Sequence, residues 1–131
     1  MSKIVKRIRK VLIKNGNILV LGQAWGILSE LPGIYDTVFV IDESHPGVRA
    51  RNLVYKNFDT QISHLPQIHA VIIDRNHVDK IDKLGPLISA TSPQVAIEGN
   101  EVIPRTQSKL FFENHYNNVS QHGFFHVWRK Q

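Results

Sequence analysis

Three short stretches of this chain hold residues whose types and spacing can do chemistry. The first is Gly22-Gln23-Ala24-Trp25-Gly26, directly behind the apolar run Ile18-Leu19-Val20-Leu21. Glycine lacks a Cβ and accepts positive φ, so backbone there can approach a ligand closely. The second is Asp42, which closes a run of apolar residues about 20 positions after the first glycine. An acid so placed can accept hydrogen bonds from ribose hydroxyls. The third is Asp74-Arg75-Asn76-His77, the most polar cluster behind a buried run. A carboxylate or an imidazole can take a proton from a reacting group, and imidazole does so near neutral pH. The same four residues also suit a capped turn into the next helix, with Asn76 or Asp79 as the cap.

Other polar residues read more plainly. Phe58-Asp59 follows a weaker strand, and Asp59 would also cap a short helical segment over 60–65. Trp25 reads either as the wall of a pocket or as a core aromatic on a helix face. Glu43 reads as solvent-facing. Asp74, Glu98 and Asn100 carry oxygens of the kind that bind a hard divalent cation. Their spacing fits such a site poorly, Gly99-Asn100 suits a hairpin turn, and no metal is expected. The chain has seven histidines but no H-x-H or H-E-x-x-H pair. His45, His64, His69, His115, His122 and His126 therefore read as ordinary surface or edge residues.

These residues must be positioned by regular elements. Residues 3–14 read as an amphipathic helix, with Ile4, Val5, Ile8, Val11 and Leu12 on one side and the cations on the other. Asn15-Gly16 stops it. Continuous apolar runs over 17–22, 37–41, 69–73 and 94–97 predict strands buried on both faces. A weaker strand is expected over 52–58, and a last one over 124–129. Helices are expected over 24–31, ended by Pro32-Gly33, over 79–89 and over 106–121, with Thr106 as its N-cap. Residues 46–51 suit a short helix or a turn. Alternating strand and helix with continuous apolar strands means an α/β sandwich around a mostly parallel sheet. About six strands are expected, because little chain remains for a final hairpin.

Composition agrees with one globular domain spanning 1–131. Of the 131 residues 42% are hydrophobic and 21% charged, as in an ordinary soluble domain. No apolar run is long enough for a membrane span, and no secretory signal is evident. Cysteine is absent, so disulfides and thiolate metal sites are excluded; a cytoplasmic location is expected. The formal net charge of +5 points to an anionic partner only until it is located. Lys3, Lys6, Arg7, Arg9, Lys10 and Lys14 all lie in the first helix, which holds no acid, and the rest is close to neutral.

The order of the strand-end features resembles that of the class I S-adenosylmethionine-dependent methyltransferases. Ile18-Leu19-Val20-Leu21-Gly22-Gln23-Ala24-Trp25-Gly26 is similar to the family's first motif, Val38-Phe39-Val40-Ile41-Asp42 to the second, Phe58-Asp59 to the third, and His69-Ala70-Val71-Ile72-Ile73-Asp74 to the fourth. The first motif departs at Val20, where the family has an acid, and at Ala24, where it has a glycine. The resemblance implies a Rossmann-like three-layer fold. It also implies an S-adenosylmethionine site in which Gly22, Gln23, Ala24, Trp25 and Gly26 line the methionine side. Asp42 would hold the ribose and Phe58-Asp59 the adenine edge. Asp74 and His77 would stand near the reacting methyl. The methyl acceptor is not implied.

Two further readings stay open. The departures at Val20 and Ala24 and the short chain also suit a non-catalytic domain of the same fold, acting as an interaction or assembly module. The basic helix over 3–14 suits docking on the sheet, and its cationic face suits a phosphate-bearing partner such as nucleic acid or an anionic membrane surface. A sheet edge left open by a missing strand would allow pairing between copies of the chain.

Overall fold

The computed structural model describes residues 6, 10, 15–22, 27–41, 47–56, 65–74, 77, 94–98, 116–122 and 125–130. Seven strands form one sheet: β1 (Asn17–Leu21), β2 (Thr37–Ile41), β3 (Leu53–Tyr55), β4 (Ala70–Ile73), β5 (Gln94–Glu98), β6 (Tyr116–His122) and β7 (Phe125–Lys130). Their order across the sheet is β3-β2-β1-β4-β5-β7-β6. The first five run parallel. β7 is antiparallel to β5, and β6 is antiparallel to β7.

The central strands form because their apolar residues are continuous. A strand covered on both faces cannot alternate with polar residues. Ile18, Leu19, Val20 and Leu21 are all fully buried, as are Ala70 to Ile73. Burying each large aliphatic side chain is worth about 1.5–3 kcal/mol. One face is a single cluster in which Ile18, Val20, Val38, Val40, Ala70, Ile72 and Ala96 pack with Ile27, Leu28, Leu31 and Tyr35. Strand register accounts for this: Val20 lies beside Val40 and Ile72, and Ile72 beside Ala96.

Two expectations are corrected. The sheet has seven strands, not six, and the final hairpin is present. Residues 116–121 belong to β6 and not to the helix expected over 106–121. Leu110, Phe111 and Tyr116 suit a helix, but Asn117-Asn118-Val119-Ser120 is a run of weak helix formers. The seventh strand occupies the edge that a six-stranded sheet would leave open. β6 pairs with β7 through a register shift between Asn117 and Ser120, and β3, at the opposite edge, has three residues.

The expected helix over 24–31 is also different where it is described. Residues 27–30 form turns, and Leu31–Gly33 is one 3₁₀ turn with its proline inside it. Residues 47–50 have no regular structure and 51–52 form a turn. In the first segment Lys6 and Lys10 are helical and exposed. The helix expected over 79–89 lies outside the described residues. Among those described, no helix is long and apolar enough to cross a membrane.

The 3₁₀ turn is tied to the sheet by one side chain. The Asn52 amide donates to the carbonyls of Pro32 and Tyr35, both at 2.9 Å, and of Asp36 at 3.2 Å. The Asn52 carbonyl accepts from Val38 N–H at 2.8 Å, which seats β2. Asn52→Ala leaves the half-buried Pro32 and Tyr35 carbonyls without this donor and should cost about 1–3 kcal/mol in urea unfolding. Asn52→Asp should cost more at neutral pH, because it places a carboxylate against carbonyl oxygens. Burial also pushes the Tyr35 hydroxyl well above its ordinary range. Above about pH 10 the unfolded chain releases that proton while the folded chain keeps it. Stability contributed by this group is therefore complete below that value and falls as pH rises past it. Tyr35→Phe should flatten the loss of stability on the alkaline side, read as urea midpoints against pH.

Candidate functional site

The sheet reverses its order between β1 and β4. The chain leaves β1 toward β2 and β3 on one side, and leaves β4 toward β5 on the other. In open parallel sheets such a reversal leaves a crevice outside the carboxyl ends of the strands, where ligands bind. Leu21, Ile41 and Ile73 stand in one row across the three central strands. The next residues in sequence are Gly22, Asp42 and Asp74.

Gly22 closes this end of the sheet on both sides. Its N–H donates to Ile41 O at 3.0 Å, and Asp74 N–H donates to Leu21 O at 3.1 Å. Its φ is +107°, a conformation open to glycine and costly for other residues. A Cβ at this position would overlap the Asp74 carboxylate, with Oδ2 the nearest atom. Glycine is thus required twice, once for the backbone angle and once for room.

Asp74 turns its other oxygen to His77. Oδ1 accepts from His77 Nδ1 at 2.6 Å, and the two side chains are 14% and 13% exposed. The backbone brings them together, since His77 N–H donates to Asp74 O at 3.1 Å and closes a tight turn. An ionised carboxylate only accepts hydrogen bonds, so Nδ1 carries the proton. The sequence-predicted residues Gly22, Asp74 and His77 therefore meet at the reversal. Gln23, Ala24, Trp25, Gly26, Asp42, Phe58 and Asp59 lie outside the described residues, as do Arg75 and Asn76. Val20 belongs to the apolar cluster and is fully buried. Register puts Glu98 one place past Ile97, the partner of Ile73. Among the described residues no three His, Cys, Asp or Glu converge on a point that would hold a metal ion.

The opposite end of the same strand pair repeats the device. Gly16 has φ +91°, and a Cβ there would overlap the His69 ring. Asn17 N–H donates to His69 Nδ1 at 3.0 Å, while His69 N–H donates to Asn17 O at 2.9 Å. The Asn17 side chain donates to Gln67 O at 3.0 Å. His69, half-buried at the amino end of β4, is thus a structural pin. Its only signal in the sequence was its place directly before an apolar run.

No protein-family model matches the sequence, and no match is found among the curated proteins. Solved structures do match. One is a precorrin-6y C5,15-methyltransferase from Geobacter metallireducens, with a TM-score of 0.68 and 13% identity, covering 98% of this chain and 87% of that one. A second is an rRNA methylase from Streptococcus thermophilus, with a TM-score of 0.54 and 13% identity, covering 99% and 98%. A third is the methyltransferase MycE of the mycinamycin biosynthetic pathway, with a TM-score of 0.58 and 11% identity, covering 95% and 44%, solved with magnesium, S-adenosylhomocysteine and mycinamycin VI.

The overlap at Gly22 has a measurable consequence. Gly22→Ala should destabilise the fold by about 1–3 kcal/mol through backbone strain alone, and by more because the carboxylate must move. Gly22→Ala combined with Asp74→Ala should cost less than the two single changes added, since the overlap is gone. Strict additivity in thermal unfolding would show that the two residues do not press on each other. Topology and likeness converge on one statement: the chain has a Rossmann-like α/β fold, similar to that of these solved methyltransferases.

Proposed function

We propose that this protein binds S-adenosylmethionine in the crevice between the ends of β1 and β4 and transfers its methyl group. One observation carries the reading. At the reversal of strand order, a side-chain-free backbone with φ +107° lies against a carboxylate that is 14% exposed. The chemistry suits the ligand, which carries a sulfonium and an ammonium. A carboxylate at the mouth of the crevice complements cationic centres. The likeness in fold to methyltransferases, one solved with S-adenosylhomocysteine, supports the same choice.

In this reading the backbone of Gly22, with Gln23, Ala24, Trp25 and Gly26, lines the methionine side. Asp42 takes the ribose hydroxyls, and Phe58 and Asp59 meet the adenine. Asp74 and His77 stand at the reacting end. The protein's task in an in-line displacement is chiefly to hold acceptor and donor at short range and in line.

Thermal or urea unfolding with S-adenosylmethionine or S-adenosylhomocysteine tests the proposal. Ligand at about 100 times its Kd should add roughly 2.7 kcal/mol of stability. Asp42→Ala should remove most of that gain at the same concentration. No shift with either ligand at millimolar concentration would refute the proposal.

A further inference from the structure

The charge of the near-neutral body is not spread evenly. Between Glu43 and Asp59 the sequence has no acid, but it holds Arg49, Arg51 and Lys56. This stretch makes the border of the sheet at β3. Residues 47–51 alternate between exposed and half-buried, the mark of an extended segment with two faces. Val48 and Ala50 pack inward on the apolar cluster. The Tyr55 hydroxyl holds the segment beside β3 by donating to Val48 O at 2.8 Å. Arg49 and Arg51 are both exposed on the outer side. Two residues of extended chain span at most about 7 Å, so the two guanidinium groups can engage successive phosphates of one strand.

A second group of cations reaches the same border from the amino end of the sheet. The basic N-terminal segment gives way to β1 at Gly16, whose carbonyl accepts Asp36 N–H at 2.8 Å. The Asp36 carbonyl accepts from the Asn52 side chain at 3.2 Å, and Arg51 is the neighbour of Asn52. Two strand spacings, about 10 Å, separate the end of that segment from the arginine turn. In the segment Lys6 and Lys10 are exposed and, at i and i+4, share one side of their helix. Asp36 is also exposed at this end and offsets part of the charge. Among the described residues, however, no carboxylate is paired with Lys6, Lys10, Arg49 or Arg51.

We propose that Arg49 and Arg51, with Lys6 and Lys10, form a surface that grips the phosphate backbone of a nucleic acid. The inference stands apart from the cofactor reading, because this surface follows the β3 border and the amino ends of the strands. The crevice between β1 and β4 lies at their carboxyl ends. Guanidinium forks match phosphate oxygens in pairs and keep their charge. Cations set out along a border suit a chain of regularly spaced charges. Val54 is the only large apolar side chain exposed among the described residues. A membrane surface needs several such groups to insert beside the cations.

Fluorescence anisotropy of the full-length protein with labelled oligouridylate, oligothymidylate and a mixed-sequence DNA duplex tests the surface. Binding should weaken between about 50 and 200 mM salt. For a single strand, log Kd should rise with log salt at a slope of about 3, from about four phosphate contacts worth about 0.7 each. Arg49→Gln with Arg51→Gln should lower that slope by about 1.4 and weaken binding to all sequences alike. Lys6→Gln with Lys10→Gln should do the same. Arg49→Lys with Arg51→Lys should keep the slope, and every variant should keep the urea midpoint of the wild type, since the sites are exposed. Binding indifferent to the arginine pair, or no binding at about 50 mM salt, overturns the proposal. Equal affinity for polyglutamate overturns it in favour of an acidic polypeptide. Affinity for phosphatidylserine vesicles without affinity for oligonucleotides overturns it in favour of a membrane. S-adenosylmethionine binding should be the same in the arginine variant as in the wild type, so failure here leaves the cofactor reading as it stands.

Discussion

Where β1 and β4 end side by side, the Cα of Gly22 and the carboxylate of Asp74 occupy space that a single methyl group would close. The two strands are neighbours in the sheet but their connections diverge, so this contact sits at the mouth of the crevice that the topology creates. Much of the site's geometry follows from it. Because residue 22 has no side chain, Asp74 can lie against β1. Because Asp74 lies there, its second oxygen is available to His77 at the next turn. The chemistry of the third residue thus depends on the absence of an atom in the first.

The same strand pair is bracketed at its other end by Gly16, which makes room for the His69 ring as Gly22 makes room for Asp74. In both places a polar side chain flanking β4 enters the space left by a glycine flanking β1. The two ends do different work. At the amino end the His69 imidazole accepts a backbone N–H and is consumed in holding register. At the carboxyl end the carboxylate is bonded to another side chain, which leaves a carboxylate and an imidazole paired at the strand ends. Between them the strands are apolar on both faces, and Val20 is part of that filling. The described carboxylate at this end is accordingly Asp74, behind β4, and not a residue within β1.

How much was legible in the sequence follows the strength of the local physics. Ile18–Leu21, Val38–Ile41 and Ala70–Ile73 are apolar without interruption, and only a strand covered on both faces needs that, so the parallel core was readable. Gly22 and Asp74 were readable as residues that follow such runs. The pairing of Asp74 with His77 was not, because a three-residue spacing brings two side chains together only if the backbone closes a tight turn between them. The pinning role of His69 was illegible for a related reason: a histidine's role depends on which backbone N–H it meets, and Asn17 is remote in sequence. The final hairpin was missed because Tyr116–His122 pairs on one side only. It lacks the continuous apolar character of the central strands, so local composition had little to say about it.

The outermost strands carry a consequence for the protein's behaviour in concentrated solution. A sheet with a long, flat border offers a row of unpaired amides on which a further chain can grow. Here one border strand has three residues and the other contains a register shift between Asn117 and Ser120. The first is too short to template much pairing, and an irregularity of the second kind twists a strand away from straight addition. A parallel sheet this apolar risks stacking edge to edge whenever it is crowded. Neither described border offers a long, regular row of amides for such addition.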